Sequence, residues 1–281
     1  MGKRRLDTLL AERGLFPSRS RAAASVMAGE VRVGPGERRA SKPGELVDAE
    51  EQLSVEERPS FVSRGGIKLA NALASSGLRV AGRRALDVGA STGGFTDCLL
   101  QRGAREVIAL DVGYGVLAWS LRSDPRVHVM ERCNARALTP EMLPFRPDLA
   151  VLDVSFISLE KVLAAVLGCL TPGYDVLALI KPQFELGRGR VGKGGVVREG
   201  GDRREALIRV GEAALALGAA VRSFHSSGLP GPKGNRETFV WLADPAGQGG
   251  GSRLRSPVLA EATVAGDGRD RLEKMAREVE P

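Results

Sequence analysis

The chain has 281 residues, 43% of them hydrophobic, which is enough to bury the core of one medium domain with an appendage. Its net charge of +7 favours a polyanionic partner. Three cysteines without C-x-x-C spacing and only two histidines argue against a zinc site and for reduced thiols. No run reaches the roughly 18 apolar residues that a bilayer span requires. No apolar stretch follows Met1-Gly2-Lys3-Arg4-Arg5, as a signal peptide would demand. These features predict a cytoplasmic protein with no metal and no membrane partner.

Residues 1–43 carry ten Lys or Arg against four Asp or Glu, and residues 44–57 carry six acids and no base. Leu6, Leu9 and Leu10 lie on one face of a predicted helix ending near Gly14. Ser18 can cap a second helix with an apolar stripe of Ala22, Val26 and Met27. Gly29, Gly34-Pro35-Gly36 and Pro43-Gly44 punctuate short strand candidates at 30–33 and 52–55. A small α+β unit over 1–57 and a linker at 58–62 follow from this pattern.

From residue 63 to 245 apolar strands alternate with helical stretches. Strands are predicted at 85–88, 107–111, 149–153, 176–180 and 239–242, with helices at 96–102, 117–122, 159–170 and 202–217. Such alternation means an α/β fold with a parallel sheet covered on both faces. Ligands of such sheets bind beyond the carboxyl ends of the strands. Residues 246–281 are Gly-rich, then charged, and predict a disordered tail with at most a weak helix near 269–278.

The strand ending Leu86-Asp87-Val88 runs into Gly89-Ala90-Ser91-Thr92-Gly93-Gly94-Phe95 and then a helix. Glycines there allow a sharp turn and close approach of a ligand. The spacing is G-x-x-x-G-G, not the dinucleotide fingerprint, and Asp87 disfavours a pyrophosphate. A carboxylate at that place suits a cationic tail such as the amino group of a methionine moiety. The next strand ends at Asp111, where an acid can accept hydrogen bonds from ribose hydroxyls. The alternative is a turn that needs glycines only for packing. Strand, loop, helix, strand and acid together resemble the class I (Rossmann-like) methyltransferase pattern, which implies S-adenosylmethionine.

Asp153 and Lys181 end apolar strands, while Lys68 precedes the first strand and Glu237 the last. Buried charges are expensive unless paired, and strand-end charges in this fold converge on one crevice. A ribose 2′-hydroxyl becomes a nucleophile only when its proton is removed, and a lysine can remove it only as the neutral amine. Lys68 and a sulfonium would bias Lys181 toward that form, with Asp153 and Glu237 orienting the lysines. The alternative for each residue alone is a structural salt bridge.

Ser63-Arg64-Gly65-Gly66-Ile67-Lys68, Asp87–Phe95, Leu152-Asp153-Val154-Ser155-Phe156-Ile157-Ser158 and Lys181-Pro182-Gln183-Phe184-Glu185 resemble the FtsJ-type 2′-O-methyltransferases. Combined with an S4-type N-terminal RNA-binding module, they closely resemble the TlyA, or haemolysin A, family of rRNA methyltransferases. The resemblance implies a Lys68–Asp153–Lys181–Glu237 tetrad and a sheet containing one antiparallel edge strand. It also implies cofactor contacts from Gly89 to Phe95, from Asp111 and Val112, from Asp153, and from Asn134 and Phe156 near the adenine. Its implied substrates are cytidine ribose 2′-hydroxyls in 16S and 23S rRNA of the ribosomal subunits.

Arg4, Arg5, Arg19 and Arg21 of the N-terminal module are candidate phosphate contacts, against the alternative of a solvated basic face. Arg64, Arg132 and Arg136 would hold RNA at the crevice. The basic Gly-rich stretch 187–195, including Lys193, would be a loop over the site, against the alternative of a disordered surface loop. With only 4% aromatic residues, recognition is predicted to rest on phosphates and RNA shape. Base methylation is disfavoured because Asp153-Val154-Ser155-Phe156 is not an Asn-Pro-Pro-Tyr-like loop. Two other readings are a non-catalytic assembly factor and a membrane-lytic protein, the latter suggested only by the haemolysin name.

Overall fold

The computed structural model describes residues 2–55, 60–192, 194–245 and 265–280. The chain divides into two units, Met1–Ser60 and Phe61–Pro281.

The first unit runs β1 (Lys3–Arg5), α1 (Leu6–Glu12), α2 (Arg19–Ala28), β2 (Val31–Val33), β3 (Arg38–Arg39), β4 (Leu46–Asp48) and β5 (Leu53–Val55). β1 pairs antiparallel with β4, and β2 is flanked antiparallel by β3 and β5. The predicted leucine face of α1 is the core: Leu6, Leu9 and Leu10 pack with Ala22, Val26, Val31 and Val33. Each such fully buried Leu stabilises by about 1.5–3 kcal/mol. Ser18 caps α2, its Oγ accepting from the Arg21 N–H at 3.2 Å, and Gly29 ends the helix at φ 75°. Met27, predicted for the apolar stripe, is 75% exposed instead. It lies one position past Val26, about 100° around the helix from the buried face.

The second unit runs α3 (Arg64–Ser76), β6 (Arg84–Val88), α4 (Gly94–Gln101), β7 (Glu106–Leu110), α5 (Trp119–Arg122), β8 (Val127–Met130), β9 (Leu149–Leu152), α6 (Glu160–Cys169), β10 (Asp175–Ile180), α7 (Pro182–Glu185), α8 (Gly200–Ala216), β11 (Ala220–Ser226), β12 (Thr238–Ala243) and α9 (Ala265–Val279). The seven strands stand in the order β11-β12-β10-β9-β6-β7-β8. β8, β7, β6, β9 and β10 are parallel. β9 is wholly buried, as a strand covered on both faces must be. Leu69 of α3 and Leu99 of α4 pack on one face of the sheet. Leu163 of α6, Leu207 of α8 and Leu272 of α9 pack on the other.

Two expectations are corrected, and one segment to which no element was assigned is helical. The antiparallel strand β12 is not at the edge; it lies between β10 and β11, antiparallel to both. β11 closes the sheet, and the chain returns from it directly into β12, which forces the reversal. The segment carrying Lys68 is the first turns of helix α3, which buries Leu69, Ala72 and Leu73 and ends at Gly77. The weak helix expected near 269–278 within a disordered tail is the longer helix α9, and it is packed, with Leu272 1% and Ala276 0% exposed. Its apolar residues, Leu272, Met275, Ala276 and Val279, follow helical spacing but are diluted by charges. Gly211 of α8 admits Leu272, since a Cβ there would lie 2.6 Å from its side chain. Residues 246–264 of that expected tail lie outside the described residues.

Among the described residues no helix is long and apolar enough to cross a membrane. No group of three or more His, Cys, Asp or Glu among them is arranged to hold a metal ion.

Candidate active site

The loop after β6 is built by its glycines. Gly89 has φ 84°, and a Cβ on it would sit 2.6 Å from the Asp153 carbonyl oxygen. Only glycine lets the ends of β6 and β9 approach this closely. Asp111, past the end of β7, braces the loop: its Oδ2 accepts from the Ser91 N–H at 2.8 Å and its Oδ1 from the Gly113 N–H at 2.7 Å. Asp87 is fully buried. Its Oδ2 accepts from Thr96 Oγ1 at 2.7 Å, while its Oδ1 has no hydrogen-bond partner among the described residues. Burial pushes the Asp87 carboxyl up to about 7; the Thr96 hydrogen bond opposes this, and the charges of Asp153 and Asp111 add to it.

The loop floors a cleft of about 420 Å³ whose walls include Arg64, Lys68, Gly89, Ser91, Asp153 and Pro232. Two ion pairs stand at this cleft. Lys68 Nζ, on α3, lies 2.5 Å from Glu237 Oε2, ahead of β12; the residues are 7% and 2% exposed. Lys181 Nζ, past β10, lies 2.6 Å from Asp153 Oδ1 and donates to Ser155 Oγ at 2.7 Å. The Lys181–Asp153 contact is an ion pair and not an aligned hydrogen bond, since Asp153 Oδ1 has no partner of hydrogen-bonding geometry among the described residues. Glu237 Oε1 likewise has none. Pairing each cation with an anion is what makes such burial tolerable. The four residues predicted as a tetrad are therefore joined in two pairs, one member of each lining the cleft.

The other predicted positions are more scattered. Ala90, Thr92, Gly94 and Phe95 line the cleft, and Gly93 turns beneath it at φ 96°. Val112 is 70% exposed. Asn134 is exposed, its Oδ1 accepting from the Arg136 N–H at 3.1 Å. Phe156 is 91% exposed, with φ 65° and its ring 5.3 Å from that of Phe184. None of these three lines the cleft. Sequence reasoning missed Ser155 and Thr96, although both stand in or next to the motifs, as hydroxyls within reach of a named charge. It also missed Tyr114, over whose ring Arg132 stacks at 4.2 Å.

Among the candidate RNA contacts, Arg64 lines the cleft and donates to the Pro230 carbonyl at 2.7 Å. Arg136 and Arg21 are exposed. Arg4 pairs with Glu12 at 2.6 Å. Arg5 and Arg19 converge on Asp7 at 2.8 and 3.2 Å, and chiefly the Arg5 hydrogen bond holds its carboxyl down at about 2. These cations are partly spoken for, which the charge count concealed. Lys193 lies outside the described residues.

Residues 61–244 match the FtsJ-like methyltransferase family, and residues 4–53 match the S4 domain. A Mycobacterium tuberculosis protein named 16S/23S rRNA (cytidine-2′-O)-methyltransferase TlyA is 50% identical over 240 residues, covering 85% of this chain and 89% of that protein. Hemolysin A of Brachyspira hyodysenteriae is 39% identical over 234 residues, covering 83% and 97%. A solved structure described as a candidate hemolysin from Streptococcus thermophilus has 38% identity and a TM-score of 0.68, covering 99% of this chain and 96% of that one. The glycine-built loop, the acid beyond β7 and the paired lysines thus stand in a chain that belongs to the FtsJ-like methyltransferase family.

Proposed function

We propose that this protein transfers a methyl group from S-adenosylmethionine to the 2′-hydroxyl of a cytidine ribose in 16S or 23S rRNA. The observation that carries the proposal is the pair of lysine–carboxylate contacts, Lys68–Glu237 and Lys181–Asp153, beside the Gly89 loop. The cleft suits the cofactor. Gly89 lets β6 and β9 close up under the loop, and the Asp111 carboxylate oxygens each keep a second lone pair for ribose hydroxyls. The unpartnered Asp87 oxygen would accept from an amino group, whose positive charge would favour loss of the Asp87 proton. Val112, Asn134 and Phe156 would border the adenine.

When bound, S-adenosylmethionine supplies an electrophilic methyl on a sulfonium. Lys181, once it has given up its own proton to solvent, takes the proton from the 2′-oxygen as the neutral amine, with Asp153 and Ser155 fixing its direction. Lys68, held by Glu237, hydrogen-bonds the ribose and keeps the nucleophile in line. Positioning is the larger part of the rate enhancement for such a transfer. Arg64, Arg132, Arg136 and Lys193 at the cleft and Arg4, Arg5, Arg19 and Arg21 of the S4 unit would bind phosphates. A ribosomal substrate places this work in the cytoplasm.

Transfer of labelled methyl from the cofactor to purified ribosomal subunits tests the proposal, with Lys181→Ala as control. Ribose-methylated cytidine is expected from the wild type and none from the variant, with cofactor and RNA binding retained. Label appearing on a base, or undiminished transfer by Lys181→Ala, would overturn it.

A further inference from the structure

The loop between β11 and β12 supplies Pro232 to the cleft wall and carries Glu237 at its end, yet it has no regular structure of its own. Its position must come from bonds to other segments. Those bonds lead away from the cleft to the end of α9. Glu280 is only 4% exposed, which is rare for an acid. Its Oε2 accepts from Arg203 Nε of α8 at 2.9 Å and lies 3.7 Å from Nη1 of Arg236, in the loop. The other end of the Arg203 fork donates from Nη1 to the Arg198 carbonyl at 2.6 Å.

One residue back, the Val197 N–H donates to Asn235 Oδ1 at 2.8 Å. Asn235 is 2% exposed and uses both ends of its amide, Nδ2 donating to the Gly195 carbonyl at 2.8 Å. Its own carbonyl accepts from the Gly231 N–H at 2.8 Å, closing the loop on itself. Two residues on, Glu237 holds Lys68. The amide of Asn235 thus does for the segment 195–197 what a neighbouring strand would do, and Arg203 with Glu280 holds that segment from behind. Buried hydrogen bonds with a charged partner are short and directional, so the line transmits position.

We infer that Glu280, Arg203 and Asn235 form a positioning relay that holds Glu237, and through it Lys68, in register with the cleft. The relay rests on the methyl-transfer reading for its purpose, but none of its three residues lines the cleft. Among the described residues the Gly89 loop is bonded to Leu110 and Asp111 and not to the relay. Loosening the relay should therefore slow transfer and leave cofactor affinity alone. A shift of about 1 Å at the reacting groups costs up to about 100-fold in rate.

The test compares wild type with Glu280→Gln, Glu280→Ala, Asn235→Ala and the double variant Glu280→Gln/Asn235→Ala in the full chain. Measured are kcat for methyl transfer to ribosomal subunits, S-adenosylmethionine affinity by calorimetry, and amide hydrogen exchange of the 195–198 segment. Expected are kcat lower by about 10- to 100-fold, unchanged cofactor affinity, and faster exchange at Val197. The double variant should be no slower than the slower single, since both act on one line. Glu280→Gln keeps the side-chain volume and carries the test if Glu280→Ala does not fold. Faster exchange with wild-type kcat, or a fall in cofactor affinity parallel to kcat, would overturn the relay and leave only a structural contact. A wild type that transfers no methyl would instead sink the methyl-transfer reading, and the relay's purpose with it, while the exchange result would still show whether the three residues are coupled.

Discussion

The Lys68–Glu237 pair offers a perturbation whose size follows from burial. Glu237 is 2% and Lys68 7% exposed, with the charged atoms 2.5 Å apart. Glu237→Leu leaves an ammonium inside the protein with no counter-charge, and Lys68→Met leaves a carboxylate in the same state. Removing one partner of a buried ion pair costs about 3–5 kcal/mol, whereas replacing both by apolar groups of similar size is near neutral or stabilising. For a unit of this size each kcal/mol moves the melting temperature by about 2–4 °C, so each single variant should melt roughly 6–20 °C lower. Lys68→Met/Glu237→Leu should recover most of that loss. Differential scanning calorimetry of the full chain gives the values, with the transition of the second unit read separately because two units need not melt together. Methyl transfer should be lost in all three variants, including the thermally restored double variant, which separates the proposed catalytic use of the charges from their structural cost. Single losses below about 1 kcal/mol, or losses that simply add in the double variant, would refute the idea of a buried, mutually dependent pair.

Burial raises the Asp87 carboxyl to about 7, so the native state retains a proton that the unfolded chain has released above about pH 4. The native state binds more protons than the unfolded one in that window, and stability contributed by Asp87 falls as pH rises from about 4 through 7. Asp87→Asn should flatten this slope in a melting-temperature series and weaken cofactor binding; an unchanged slope would count against it. Asp7 has the opposite sign. Its carboxyl is held at about 2, chiefly by the Arg5 hydrogen bond, so its contribution is present above about pH 4 and lost as pH falls through 2. Asp7→Asn should flatten the acid limb of the first unit's unfolding, followed by circular dichroism. The three cysteines are buried, and burial pushes the Cys98 thiol up to about 12. Ellman's reagent at pH 8 should find no fast-reacting thiol until denaturant is added, and a stoichiometric native reaction would show that the core around Cys98 opens.

Much of the fold was legible because its signals are local. The spacing of Leu6, Leu9 and Leu10, the cap at Ser18, the continuous apolar run of β9 and the glycines after Val88 act within a turn or a strand, and each element formed where that chemistry placed it. That Lys68, Asp153, Lys181 and Glu237 would stand beside opposite charges was legible as well, because a buried charge needs a partner. Which partner it finds is a different kind of fact. Lys68 meets Glu237 across 169 positions of chain because α3 docks beside β11 and the loop that leads into β12. Arg5 and Arg19 face Asp7, so their charges are partly neutralised within the first unit. β12 inserts beside β10 instead of at the edge, and α9 docks against α8, where Gly211 makes room for Leu272, and against the sheet. Helix and strand propensity is decided by neighbours a few residues away, whereas charge pairing, strand order and the docking of a weakly amphipathic helix depend on surfaces that exist only once the chain has closed on itself.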